Sequence, residues 1–394
     1  MIAYGGEKAV RMLQTSIPSV EIRSPSFELS GDAASGASFQ CPRVTSDYSQ
    51  IPMREVDKLL GPLRWVILLI RLKISWSPAV IAGEFWRVLT NIGTQREIFR
   101  LLRLRPLDQV AQDKPGLAFK YVVPDYLARR FSVSERAACF LHHYRRIHAA
   151  LSENALRQIL KDNVVLHNIS HGSNHFTLTI GSPEHIGRLE GELSVDLRVN
   201  GKSVFNLSFI IVPGWVLKSD ADEILLITRL QGAFGSRPQI ELVRRAFHEF
   251  SPRKLLLSVV QGFADAFGIG ELQAVCATNQ RCYEKKYSAS LKRGYDDFFT
   301  NVGMIKTAAG FYSSPIPIKT KPLASIKGRN RSRARKSRAM RQQIQLASAE
   351  FLLGAAQRST YSSTGAVDQP SIEGAGESRL RPVAFREEDY NPSP

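Results

Sequence analysis

The sequence is short of cysteine, of acid and of long apolar runs. Its four cysteines, Cys41, Cys139, Cys276 and Cys282, form no CxxC pair, which argues against a zinc ribbon, a thioredoxin-type redox site and a disulfide framework. A reduced, intracellular chain is the simplest reading. The first 30 residues hold no apolar stretch of the kind a secretory leader needs. The most apolar run, Trp65–Ile70, is flanked at once by Arg64, Arg71 and Lys73. A bilayer span takes about 20 apolar residues, so no transmembrane helix is expected. No internal repeat is evident.

The shortage of acid is the most informative. Asp and Glu total 36 against 53 Lys and Arg, a net charge of +17. Such a balance points to an anionic partner: nucleic acid, an acidic membrane surface or an anionic ligand. The excess is local. Ten Lys/Arg and no acid lie between Lys319 and Arg341, and residues 54–105 hold ten Lys/Arg against four acids. The run "KGRNRSRARKSRAMR" suits acidic lipid head groups or nucleic acid. It has no interleaved aromatics for base stacking, which weakens the nucleic-acid reading, and a solvated basic helix explains it equally well.

Composition divides the 394 residues into four parts. Residues 1–50 and 346–394 read mainly as tails rich in Ser, Gly and Ala. Residues 51–165 read as helical, ending in a long helix with Ser134 as its N-cap. Residues 166–345 read as a mixed sheet part. Alternation in Leu189–Val199 and in Phe205–Ile211, around Asn200-Gly201, predicts a β-hairpin. "EILLITRLQG" and "LQAVCAT" read as buried strands. Two amphipathic helices lie between them, the second restarted by Ser251-Pro252. The class expected is α+β: helices first, then a mostly antiparallel sheet with packed helices.

Three clusters of chemically able residues have plain explanations. His167, His171 and His175 recur every four residues, but Gly172 breaks a helix there, so a polar turn is preferred to a zinc site. Cys139 and His143 stand at helical spacing, as a nucleophile and base would, with no third residue to orient them. Glu190 and Glu192, with Asp196, read as a solvated sheet face.

Six stretches, among them "PDYLARRFSVSERAACFLHHYRRI", "EGELSVDLRVNGKSVFNLSF", "FHEFSPRKLLLSVVQGFADAFGI" and "KKYSASLKRGYDDFF", come in the order seen in the VirK/YbjX family. The resemblance spans roughly residues 55–345. It implies a bacterial protein tied to envelope integrity, virulence and resistance to antimicrobial peptides. Taken with the basic surfaces and the cysteine usage, the expectation is a cytoplasmic protein peripheral on the inner membrane, with anionic lipid or an envelope client protein as partner. The resemblance supplies no catalytic residues.

The order of elements also resembles the GNAT-type N-acyltransferases, which hold the pyrophosphate of acyl-coenzyme A on backbone amides after their fourth strand. Arg229-Leu230-Gln231-Gly232-Ala233-Phe234-Gly235 resembles their Q/R-x-x-G-x-G/A loop, except that Phe234 stands where a second small residue belongs. On that likeness Arg229, Gly232, Gly235, Arg237 and Asn279 would bind acyl-coenzyme A, and Tyr283 or Tyr287 would protonate its departing thiolate. An ordinary strand–turn–helix joint is the simpler account of the same residues. The likeness sets a condition: the two strands must lie side by side, with neither Phe234 nor a neighbouring helix filling the gap between them.

Overall fold

The structure, a computed structural model, describes residue 83 and residues 86–183, 189–247 and 250–361. The apolar run Trp65–Ile70 and most of both expected tails fall outside the described residues. Before the sheet lie, among the described residues, helical turns at 86–90 and the helices α1 (Ile92–Leu102), α2 (Leu107–Asp113), α3 (Val133–Ala150) and α4 (Glu153–Lys161), with a 3-10 helix at Pro115–Val122 before α3. Ser132, not Ser134, caps α3. Its hydroxyl takes the Glu135 amide while the Glu135 carboxylate takes the Ser132 amide, a reciprocal capping box. The long helix is in fact two, because Ser152 caps a fresh start at Glu153, its hydroxyl accepting the Ala155 amide hydrogen.

The sheet has eight strands in the order β1-β2-β3-β4-β5-β6-β8-β7. They are β1 (Val164–His171), β2 (Asn174–Gly181), β3 (Leu193–Val199), β4 (Lys202–Pro213), β5 (Glu223–Gly232), β6 (Glu271–Val275), β7 (Ile305–Lys306) and β8 (Phe311–Pro315). The hairpin expected at Asn200-Gly201 is present, with φ of 50° and 79° at its two central residues. All pairings are antiparallel except β5 with β6. That parallel pair is forced by the crossover through α5 (Arg237–Ala246) and α6 (Pro252–Phe267). Two short helices, α7 (Ser288–Gly294) and α8 (Asp296–Val302), follow β6, and α9 (Gly328–Tyr361) follows β8.

Leu193, Phe209 and Ile227 stand in cross-strand register, so they share one face. Helix α6 covers it, Phe263 meeting Phe209 edge-on at 5.0 Å. The opposite face meets α3, where Tyr144 reaches Glu192. Helix α9 lies across α6 at Gly262, where a Cβ would run into the Gln345 carbonyl oxygen and sit 3.0 Å from Ser348 Cβ. Ile344, Ser348, Ala349, Leu352 and Ala355 are buried. The tail expected from residue 346 is therefore helical as far as Tyr361; its small residues, which read as low complexity, are what permits close helix packing.

Candidate functional site

The GNAT-like condition concerns the gap between β5 and β6. The strands do lie side by side, pairing Leu225–Ile227 with Leu272–Ala274. Phe234 points outward and is 71% exposed, so it does not fill the gap. A different aromatic does. Tyr295, at the start of α8, is buried, and its hydroxyl accepts the Leu230 amide hydrogen at 3.2 Å. Asp296 beside it takes the Ala277 amide at 2.8 Å. Burial raises the Tyr295 hydroxyl far above the ordinary tyrosine range, with Glu190 adding to the effect. The side chain is thus a neutral wedge between the strands.

The turn itself is tied internally. The Ala233 amide donates to Val204 O at 2.9 Å and the Ser236 amide to Ala233 O at 3.3 Å. The Ser236 hydroxyl reaches both Val204 O and Ala233 O. Gly232 still belongs to β5, opposite Phe205. Gly235 has φ +70° with open space around its Cβ position; this conformation, which glycine adopts freely, turns the chain into α5. Arg237 is exposed at the head of that helix.

Arg229, expected to face the turn, points elsewhere: its guanidinium forms a buried ion pair with Glu190. Asn279 donates to Gly310 O at 3.0 Å and so holds the loop before β8. Tyr283 is half-buried beside Arg129, whose guanidinium lies 6.0 Å from its ring. Tyr287 is half-buried with Lys286 Nζ 4.6 Å from its ring. The tyrosine at the strand gap is Tyr295. A cue for it lay in "GYDDFF", an aromatic directly ahead of two acids that open a helix.

Glu190, Glu192 and Asp196 overturn the expectation of a solvated face: all three are buried. Gly191 between them has φ +157° and no room for a Cβ against Ser208 and Phe209, which lets the chain press onto β4. Glu192 then takes Lys120 Nζ at 2.9 Å, Tyr126 OH at 2.6 Å and Tyr144 OH at 2.5 Å. A carboxylate with three such donors is a structural node. Burial, reinforced by Glu192, raises both tyrosine hydroxyls well above their ordinary value.

The pairing of Cys139 with His143 is not a nucleophile and base. Cys139 is fully buried, and burial drives its thiol upward. Burial also pushes His143 down to about 3, and its Nδ1 accepts the Ile211 amide at 3.2 Å. His167 and His171 lie on β1 and His175 on β2. Among the described residues no group of His, Cys, Asp or Glu is arranged to hold a metal, and no helix is long and apolar enough to cross a membrane.

The basic run forms the first half of α9. Lys327, Arg331, Arg333, Arg335 and Lys336 are exposed, as are Lys319 and Lys321 before them. Where the helix reaches the body of the protein, positive charges crowd together. Burial and then Arg341 lower the Lys254 ammonium; burial and then Arg338 lower Arg341. Like charges packed this way destabilise the free protein and are relieved by an anion.

A family model described as "Protein of unknown function (DUF535)" matches residues 85–350. No curated protein matches the chain. Among solved structures, a mutant of the cAMP-binding acyltransferase from Mycobacterium smegmatis is similar over 62% of this chain and 66% of its own length, just under two thirds, at 9% identity. The TM-score of that likeness is 0.26, too low to carry an argument about fold or activity.

Proposed function

The chain belongs to the DUF535 family, and from that premise we propose that it is a VirK/YbjX-type protein that works at an anionic membrane surface and acts on the cell envelope from there. One observation carries the reading. Seven exposed Lys and Arg between Lys319 and Lys336, in a stretch without acid, stand on and just before a helix whose second half is packed on α6. A charge array of this kind, fixed to a folded body, attracts acidic head groups at about 1 kcal/mol per basic residue near the surface. Its binding falls with salt as the Debye length shrinks from about 30 Å at 0.01 M to about 3 Å at 1 M. The test is co-sedimentation with phosphatidylglycerol vesicles at low and high salt. Binding at low salt only, and none to phosphatidylcholine vesicles, supports the reading. Equal recovery with both lipids removes it.

Acyl transfer is a second reading, favoured by the side-by-side parallel strands β5 and β6 and the outward Phe234. It requires Tyr295 to leave the gap. A thermal-shift screen with acyl-coenzyme A compounds tests it: no shift with the native chain or with Tyr295→Ala removes this reading and leaves the membrane reading untouched.

A further inference from the structure

Where α9 meets α6, three cations come together without a carboxylate partner among the described residues. Lys254 stands in the first turn of α6. Arg338 and Arg341 stand three residues apart on α9, so they share one side of that helix. The acids of the two helices lie elsewhere. Asp265 of α6 is about three turns beyond Lys254 and accepts the Gln345 side-chain amide at 2.6 Å. Glu350 of α9 is about two and a half turns beyond Arg341. The stretch from Lys319 to Arg341 holds no acid.

These are not loose surface charges. All three side chains are half-buried. Arg338 donates to the Lys321 carbonyl oxygen, which ties down the segment before α9. Arg341 Nε is buried without a hydrogen-bond partner. Burial, then Arg341, lowers the Lys254 ammonium, and burial, then Arg338, lowers Arg341. The positive end of α6 adds to the crowding, and Ser251 supplies no side-chain cap there. The close crossing at Gly262 fixes the two helices, so the cations cannot separate without unpacking the buried Ile344 and Ser348.

The groups select the ligand class. Ammonium and guanidinium groups carry donors and no acceptor, so only an acceptor satisfies them and only an anion relieves their repulsion. Three fixed cations call for more than one negative charge. A carboxylate brings one, whereas a phosphate monoester brings nearly two at neutral pH and three acceptor oxygens. The planar fork of a guanidinium matches two of those oxygens at once. We propose that Lys254, Arg338 and Arg341 form a seat for a phosphate monoester group, with Lys254 Nζ and the two guanidinium groups donating to its oxygens. The seat uses none of the seven exposed residues between Lys319 and Lys336, so it stands or falls apart from charge-driven binding to vesicles.

The test uses the full chain near neutral pH, with inorganic phosphate as probe and sodium chloride of equal ionic strength as reference. Phosphate at about 10 mM should raise the melting temperature by about 2–4 °C over the reference, and sodium acetate should not. The variants are Lys254→Met and Arg341→Met, which keep an apolar stem and remove the charge. In chloride each should melt at or above the parent, because a like charge is gone, and the double variant should lose the phosphate shift. Two further arms separate the sources of the group. Glycerol 3-phosphate should match inorganic phosphate if the seat takes small esters. Phosphatidate vesicles should bind the parent more tightly than phosphatidylglycerol vesicles of equal surface charge, with the gain lost in the double variant, if it takes a lipid head group. Three results overturn the proposal: phosphate no better than chloride on the parent, a phosphate shift that survives in the double variant, or a double variant that melts well below the parent in chloride. The last would mean that the two cations already have partners within the protein. An intact phosphate shift without phosphatidylglycerol binding would remove the membrane reading and support the seat.

Discussion

Substituting Gly262 with alanine should loosen α9 from α6, against the usual trend for glycines in helices. Alanine in a helix interior is favoured over glycine by about 1 kcal/mol. At Gly262 the new methyl would meet the carbonyl oxygen of Gln345, with Ser348 Cβ 3.0 Å away. The obstacle is backbone, which cannot rotate aside, so the two helices must move apart. Overpacking of this kind costs about 1–3 kcal/mol, and separation also loosens the buried Ile344, Ser348 and Leu352. The net expectation is a loss of up to about 2 kcal/mol and faster amide exchange in residues 342–355. Gly354 is the control, since a Cβ there meets nothing within 4 Å; Gly354→Ala should raise stability by up to about 1 kcal/mol. Hydrogen exchange by mass spectrometry and thermal melting read both variants. A Gly262→Ala chain that melts higher than its parent, with unchanged exchange over 342–355, would refute the close crossing.

Three further outcomes follow from buried groups. Glu192→Leu leaves Lys120 Nζ and two tyrosine hydroxyls without their acceptor and should cost about 3–5 kcal/mol in urea unfolding; a loss under 1 kcal/mol would argue against the node. His143 has its folded pKa pushed down to about 3 by burial, then by His142 and Lys120. The unfolded chain therefore binds the proton first: this contribution is full above about pH 6.5 and is lost as pH falls towards 3, at up to about 1.4 kcal/mol per unit. Replacing His143 with asparagine should flatten the slope, and an unchanged slope would contradict the burial. Cys139 and Cys276 are buried, so peptide mapping after iodoacetamide should find them unmodified in the native chain and modified in urea; rapid native labelling of Cys139 would refute its placement.

The parts of the fold set by local chemistry were legible in the sequence. Asn200-Gly201 between two alternating runs marked the β3–β4 hairpin, and the apolar run before Gly232 marked the buried strand β5. What local chemistry does not encode was missed. Glu190 and Glu192 look like solvent-facing residues because their partners, Arg229, Lys120, Tyr126 and Tyr144, lie 39–72 positions away in the chain. Residues 346–361 looked like a tail because small residues carry no strong period, although they are what close helix packing requires. At the strand–turn–helix joint the glycines drew attention, yet the residue that decides the gap is Tyr295, sixty-five positions beyond the amide it binds. No motif around Gly232 could have named it.

The most direct test of the membrane reading is the quadruple variant Arg331→Gln, Arg333→Gln, Arg335→Gln, Lys336→Gln. Glutamine keeps helix propensity close to that of arginine and lysine, so circular dichroism and melting should match the parent. Partitioning onto phosphatidylglycerol vesicles at low salt should fall by roughly 1,000-fold, from four charges at about 1 kcal/mol each. A folded quadruple variant that binds those vesicles as tightly as the parent would contradict the account.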